Sequence, residues 1–177
     1  MKKDGRKGNS TQTGKAFEDR LGIAATLIKM GFGLASPTKS VVQVQKSGKT
    51  VGYLTKGRGF YHLLDHLGIS RVERPWEFRP DEVFLNLNTK TVYILELKTQ
   101  TTKGSVDEKL FGVAYRVDYF KSFFEESELK VEFKYVLAGT EFYQKREGKY
   151  RDLFRYIVSS DADYIFEQDF NLRVLGI

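Results

Sequence analysis

With 177 residues, 41% of them hydrophobic and 14% aromatic, the chain holds enough apolar material for one compact core, which excludes general disorder. It has no cysteine, so a disulfide framework, a thiolate nucleophile and any Cys-ligated zinc or iron–sulfur centre are excluded, and a cytoplasmic location is expected. Lys and Arg number 29 against 23 Asp and Glu, and the formal charge of +6 suits a polyanionic partner, nucleic acid first.

Residues 1–14 carry Lys2, Lys3, Arg6 and Lys7 against the single acid Asp4, among Gly, Ser, Thr and Gln, a composition too polar to offset its own ordering. They read as a basic flexible tail, and 15–177 as a single domain. The basic start and the apolar run Leu21–Ala35 imitate a leader segment. Glu18, Asp19 and Arg20 separate the two parts, Lys29 interrupts the run, and its length falls below the roughly 18 residues of a membrane span. No membrane partner is expected.

Phe17, Leu21, Ala24, Ala25 and Ile28 recur at helical steps from Lys15 onward, with Gly31 and Gly33 as the stop. Val41, Val42 and Val44, a Ser47-Gly48 turn, then Val51, Tyr53 and Leu54 predict a hairpin, and Phe60–Leu67 a short helix. Glu82–Leu87 and Thr91–Lys98 are β-rich runs joined at Asn88-Thr89, with apolar residues at neighbouring positions, as in strands buried on both faces. Ser105-Val106-Asp107-Glu108 matches a capping box and predicts a long helix to about Glu126. Val131–Ala138 reads as a buried strand, Tyr150, Leu153, Phe154 and Ile157 as a helix, and Tyr164–Phe166 as a short extended piece. The pattern is that of an α/β fold.

If the hairpin after Asp81 turns symmetrically between Asn88 and Thr89, residues whose numbers sum to 177 face each other, and Asp81 lies opposite Glu96. Opposed Cβ atoms are about 4.5–5.5 Å apart and diagonal neighbours about 7–8 Å, which brings the longer Lys98 to the same face. Opposed like charges penalise the chain unless a cation lies between them, and a divalent metal would serve; Mg²⁺ is commonly held by one or two carboxylates. A solvated sheet end is the plain alternative. Against it, these groups end strands that are otherwise apolar on both faces, where an unpaired acid is costly. Glu82 directly follows Asp81, and a bulge or register slip would exchange the two acids.

Pro80-Asp81, fourteen intervening residues, then Glu96-Leu97-Lys98 resembles the motif of the PD-(D/E)xK nuclease superfamily, which includes most type II restriction endonucleases. The resemblance covers Lys15 to about Ala138 and implies a restriction-endonuclease-like mixed β-sheet flanked by helices. It further implies that Asp81 and Glu96 bind Mg²⁺, that Leu97 adds its backbone carbonyl, and that Lys98 serves the hydrolytic water. A glutamate on the first helix reaches the metal in many members, and Glu18 is similar to it, although a first-turn acid is also what the helix dipole alone favours. The implied activity is Mg²⁺-dependent hydrolysis of double-stranded DNA leaving a 5′-phosphate and a 3′-hydroxyl, the job of a type II restriction endonuclease. A structure-specific repair or junction-resolving nuclease is the alternative within the superfamily, and a non-catalytic basic nucleic-acid-binding module is the alternative outside it.

Further signals carry two readings each. Gln100 continues the face of Glu96 and Lys98, as a DNA contact or a plain strand-end residue. Lys103-Gly104-Ser105 stands where free helix N–H groups suit a phosphate, though Ser105 also acts as a cap. Lys145, Arg146, Lys149, Arg151 and Arg155 form a basic cluster that is either a DNA contact or a solvated face. His62 and His66 have zinc-pair spacing without an evident third ligand, and Gly48-Lys49-Thr50 lacks the first glycine of a P-loop, so neither is taken as a site. Leu110, Val113, Ala114, Val117, Phe120 and Phe124 form one apolar stripe and Phe111, Tyr115, Tyr119 and Phe123 a second, either more core or a subunit interface. A homodimer is expected, because a two-fold DNA site is matched by two-fold protein symmetry.

Overall fold

A computed structural model of the chain describes residues 16–17, 21–71, 76–100 and 107–177. The ordered elements are α1 (Ile23–Lys29), β1 (Gly33–Ala35), β2 (Val41–Lys46), β3 (Lys49–Thr55), α2 (Gly59–His66), β4 (Glu82–Asn86), β5 (Thr91–Thr99), α3 (Val113–Lys121), β6 (Lys130–Ala138), α4 (Thr140–Gln144), α5 (Arg151–Ser159) and β7 (Asp163–Phe166). The strands form one seven-stranded sheet whose spatial order is the chain order. From β1 to β5 neighbours are antiparallel and turn back directly, whereas β5, β6 and β7 are mutually parallel and reached by helical crossovers.

Helices cover both faces, and this explains the unalternating strands. Val92 and Ile94 of β5 join Val83, Leu85, Phe133 and Tyr135 in a core closed by α2, α3 and α5. Tyr93 and Leu95 face the other way, with Phe84, Val44 and Leu54, and are closed by α1 and a terminal turn at Leu172–Leu175. A single-domain α/β fold with a mixed sheet flanked by helices follows from burial on both sides. The first core is aromatic: Phe60 meets Phe120 and Phe123 edge-on at 5.3 and 5.6 Å, and Tyr61 and Tyr119 share a hydroxyl hydrogen bond of 2.6 Å. The Tyr61 hydroxyl also bonds the Phe78 carbonyl at 2.7 Å; burial, reinforced by Tyr119, pushes its pKa well up.

The β4–β5 hairpin has the register that the sequence suggests, from Glu82 opposite Leu95 to Asn86 opposite Thr91. Asn86 pins its turn: its side-chain oxygen accepts from the Asn88 and Thr89 amides, and its Nδ2 donates to the Leu175 and Gly176 carbonyls at 3.0 Å. On the other side β3 approaches β4 so closely at Gly52 that a Cβ there would stand 2.4 Å from the Leu85 carbonyl oxygen.

Several elements depart from expectation. The first helix has a break at Gly22, whose φ of 45° is left-handed; Ile23 and Leu27 then take the buried positions, and Ile28 is exposed. The long helix predicted from Ser105 to Glu126 is instead a 3₁₀ turn at Asp107–Leu110, a break at Phe111-Gly112, and α3. Glycine lowers helical stability, and past Lys121 the Ser122 and Ser127 hydroxyls bond the Tyr119 and Phe124 carbonyls, offering the backbone a competing arrangement. The capping serine Ser105 lies outside the described residues, as do the whole of the basic tail, residues 1–14, and Lys103. Strand β1 and helix α4 were not foreseen, and the Tyr164–Phe166 piece is part of a full sheet member, β7. Among the described residues no helix is long and apolar enough to cross a membrane.

Candidate active site

Asp81 stands one residue before β4, and the hairpin register brings it opposite Glu96 on β5. Its approach is anchored by the Gly57 amide, which donates to the Pro80 carbonyl at 2.8 Å. The Leu97 amide donates to Asp81 Oδ2 at 2.7 Å, so the aspartate caps the edge of the strand that carries Glu96 and Lys98. Glu82 alternates to the opposite face, the one that carries Phe84, and Asp81 is therefore the acid turned toward Glu96.

Lys98 Nζ lies among three oxygens: Glu96 Oε2 at 2.7 Å, Leu97 O at 3.2 Å and Asp81 Oδ2 at 3.3 Å. Glu96 is only 3% exposed, and its other oxygen, Oε1, accepts from Arg116 Nη1 of α3 at 3.1 Å. The Arg116 guanidinium also lies 4.7 Å above the Phe78 ring. The site thus pairs two carboxylates with two cations, the condition under which a charge tolerates burial. This corrects the expectation that the opposed acids leave an uncompensated repulsion: the lysine stem is long enough to fold back and set its ammonium between them.

The donor set fits Mg²⁺. Two carboxylate oxygens and a backbone carbonyl are hard ligands of the kind that ion takes, and they already converge on one positive group. No cluster of three or more His, Asp or Glu side chains occurs among the described residues, and the helix glutamate Glu18 lies outside them.

The remaining candidates are distributed as follows. Gln100 follows β5, donates its backbone N–H to the Ala138 carbonyl at 3.0 Å and is buried at the sheet end, beneath rather than on the surface. Lys103 and Ser105 lie outside the described residues. Arg151 and Arg155 project outward from α5, whose Leu153, Phe154 and Ile157 pack inward, and both lie near Asp152, at 3.4 and 3.8 Å. Within the same basic cluster Lys145 is bound to Glu141 at 2.7 Å and Arg146 lies 4.2 Å over the Tyr143 ring. His62 pairs with Ser40 and His66 packs on Tyr53, so the two rings have separate partners. The second stripe is split: Tyr119 and Phe123 are core, whereas Phe111 and Tyr115 are 60% and 46% exposed.

Arg116 is the site residue that sequence reasoning missed. Its one signal is a cation set between two apolar stripes of a helix, which becomes meaningful only when the first turn of that helix is known to reach Glu96. Comparison with protein-family models, with curated proteins and with solved structures finds no match for this chain.

Proposed function

We propose that the chain is a Mg²⁺-dependent DNA endonuclease with a restriction-endonuclease-like fold, working as a type II restriction endonuclease. The observation that carries this reading is the convergence of Asp81 Oδ2, Glu96 Oε2 and Leu97 O on Lys98 Nζ at the end of two strands buried on both faces. Asp81, Glu96 and the Leu97 carbonyl would hold the ion, with Glu18 a further candidate from the sequence. When bound, the ion supplies Lewis-acid polarisation of a phosphoryl oxygen.

The chain's own residues do the rest. Lys98, released from the carboxylates, counters phosphate charge and orients the water that attacks phosphorus in line; the P–O3′ bond breaks, leaving a 5′-phosphate and a 3′-hydroxyl. Arg116 keeps the Glu96 carboxylate fixed from the helix side. Cutting both strands of a two-fold site calls for two copies, and the exposed Phe111, Tyr115 and Trp76 rings are the apolar surface that a second copy would cover.

Incubation with several plasmids and Mg²⁺ tests the proposal. Discrete bands are expected. A smear would replace the restriction reading with a nonspecific nuclease, and metal-independent binding without cleavage would replace it with a binding module.

A further inference from the structure

We infer that the cleft of about 490 Å³ at the end of β6, walled by Tyr143, Gln144, Phe166 and Gln168, is the subsite in which this chain reads a nucleobase edge next to the bond it cuts. The inference rests on the endonuclease reading above and adds the residues that choose the sequence.

Position is the first argument. Strands β5 and β6 are parallel with Lys98 beside Leu137 and Thr99 beside Ala138, and Leu137 and Ala138 floor the cleft. Neighbouring strands lie about 4.8 Å apart, so the cleft opens one strand away from the catalytic lysine. Leu137 faces the same core as the helices above Lys98, which puts cleft and lysine on one side of the sheet. Both sit at the carboxyl ends of parallel strands, where open α/β sheets bind their ligands.

The floor is rigid with respect to the catalytic strand. Gly139 has φ of 95°, and a Cβ there would stand 2.2 Å from the Gln100 carbonyl oxygen, so the exit of β6 is pressed against the end of β5. The Gln100 backbone N–H donates to the Ala138 carbonyl across the same gap at 3.0 Å. A group held in this cleft therefore keeps a fixed offset from Lys98, which a specificity contact needs.

The lining selects a base over a phosphate. Tyr143 and Phe166 meet edge-to-face at 5.2 Å and supply an aromatic wall, while Gln144 and Gln168 supply neutral amides, each both donor and acceptor. Among the described residues that line the cleft none is a lysine or arginine, which leaves the sugar–phosphate backbone to Lys98. A volume of about 490 Å³ falls within the roughly 300–1,000 Å³ of small-ligand clefts. Glutamine amides pair bidentately with the N6 donor and N7 acceptor of adenine, so adenine is the base this lining fits.

Sequencing the ends produced from genomic DNA tests the assignment. The wild-type chain should prefer adenine at one position flanking the cut, Gln144→Ala and Gln168→Ala should relax that preference by about tenfold, and Gln144→Glu should shift it toward cytosine, whose N4 group donates to a carboxylate. A shifted base cannot arise from a damaged fold. Wild-type cutting without base preference, or a preference unchanged in Gln144→Glu and Gln168→Ala, overturns the subsite alone. A wild-type chain that cuts no DNA with Mg²⁺ overturns the endonuclease reading and the subsite with it.

Discussion

Lys98 donates to Glu96 Oε2 at 2.7 Å and to Asp81 Oδ2 at 3.3 Å, so one ammonium bridges both carboxylates while Arg116 supplies the second positive charge. On the proposed reading, an ion held by the two carboxylates would take the place that the ammonium occupies between them. Asp81→Ala and Glu96→Ala should each abolish cleavage and weaken Mg²⁺ binding measured by titration calorimetry. Lys98→Ala should abolish cleavage while leaving both carboxylates free to bind the ion. Near-wild-type turnover in any of these variants would remove the site assignment.

The same geometry sets the sign of a stability effect. Opposed acids by themselves would make Asp81→Asn stabilising, but Asp81 takes the Leu97 amide at 2.7 Å and the Lys98 ammonium, and the charge strengthens both bonds. Asp81→Asn should lower stability by about 1 kcal/mol in EDTA, the difference between a hydrogen bond to a charged group and one to a neutral group. A raised melting temperature for that variant in EDTA would show that repulsion outweighs the pairing.

Arg116 supports a carboxylate that is only 3% exposed. Arg116→Ala leaves Glu96, among the described residues, with the Lys98 bond and should cost about 1–3 kcal/mol in urea denaturation. Arg116→Lys should recover part of that loss, because it restores the charge without the guanidinium plane over Phe78. Equal losses in both variants would make packing on Phe78, rather than pairing with Glu96, the source of the effect.

DNA affinity should fall steeply with salt, since phosphate contacts release counterions. Lys103→Ala and Arg151→Ala should each reduce the slope of log K against log salt by about 1 if the residue meets a phosphate. Slopes unchanged in both variants would move the DNA to another face.

Assembly is read by sedimentation at micromolar concentration. A dimer is expected when DNA is bound, and Tyr115→Glu should weaken it, because Tyr115 is 46% exposed and a charge there would need to be desolvated. A monomer in both the free and the bound state would point to a nicking or structure-specific enzyme.

The sequence by itself determined the hairpin and the meeting of Asp81 with Glu96 and Lys98, because the register of two strands joined by a short turn is governed by local rules. Neighbouring apolar residues along β4 and β5 likewise announced burial on both faces. Tertiary structure decided what no local period contains. It bent the predicted long helix at Gly112, leaving Phe111 and Tyr115 outside while Tyr119 and Phe123 went inside, although all four share one helical stripe in the sequence. It brought Arg116 onto Glu96 across 20 residues and laid β7 beside β6, since both depend on how a crossover helix packs on the sheet. A strand's register is set by its own turn; which side chain of a helix reaches a given strand end is set by packing among segments far apart in the chain.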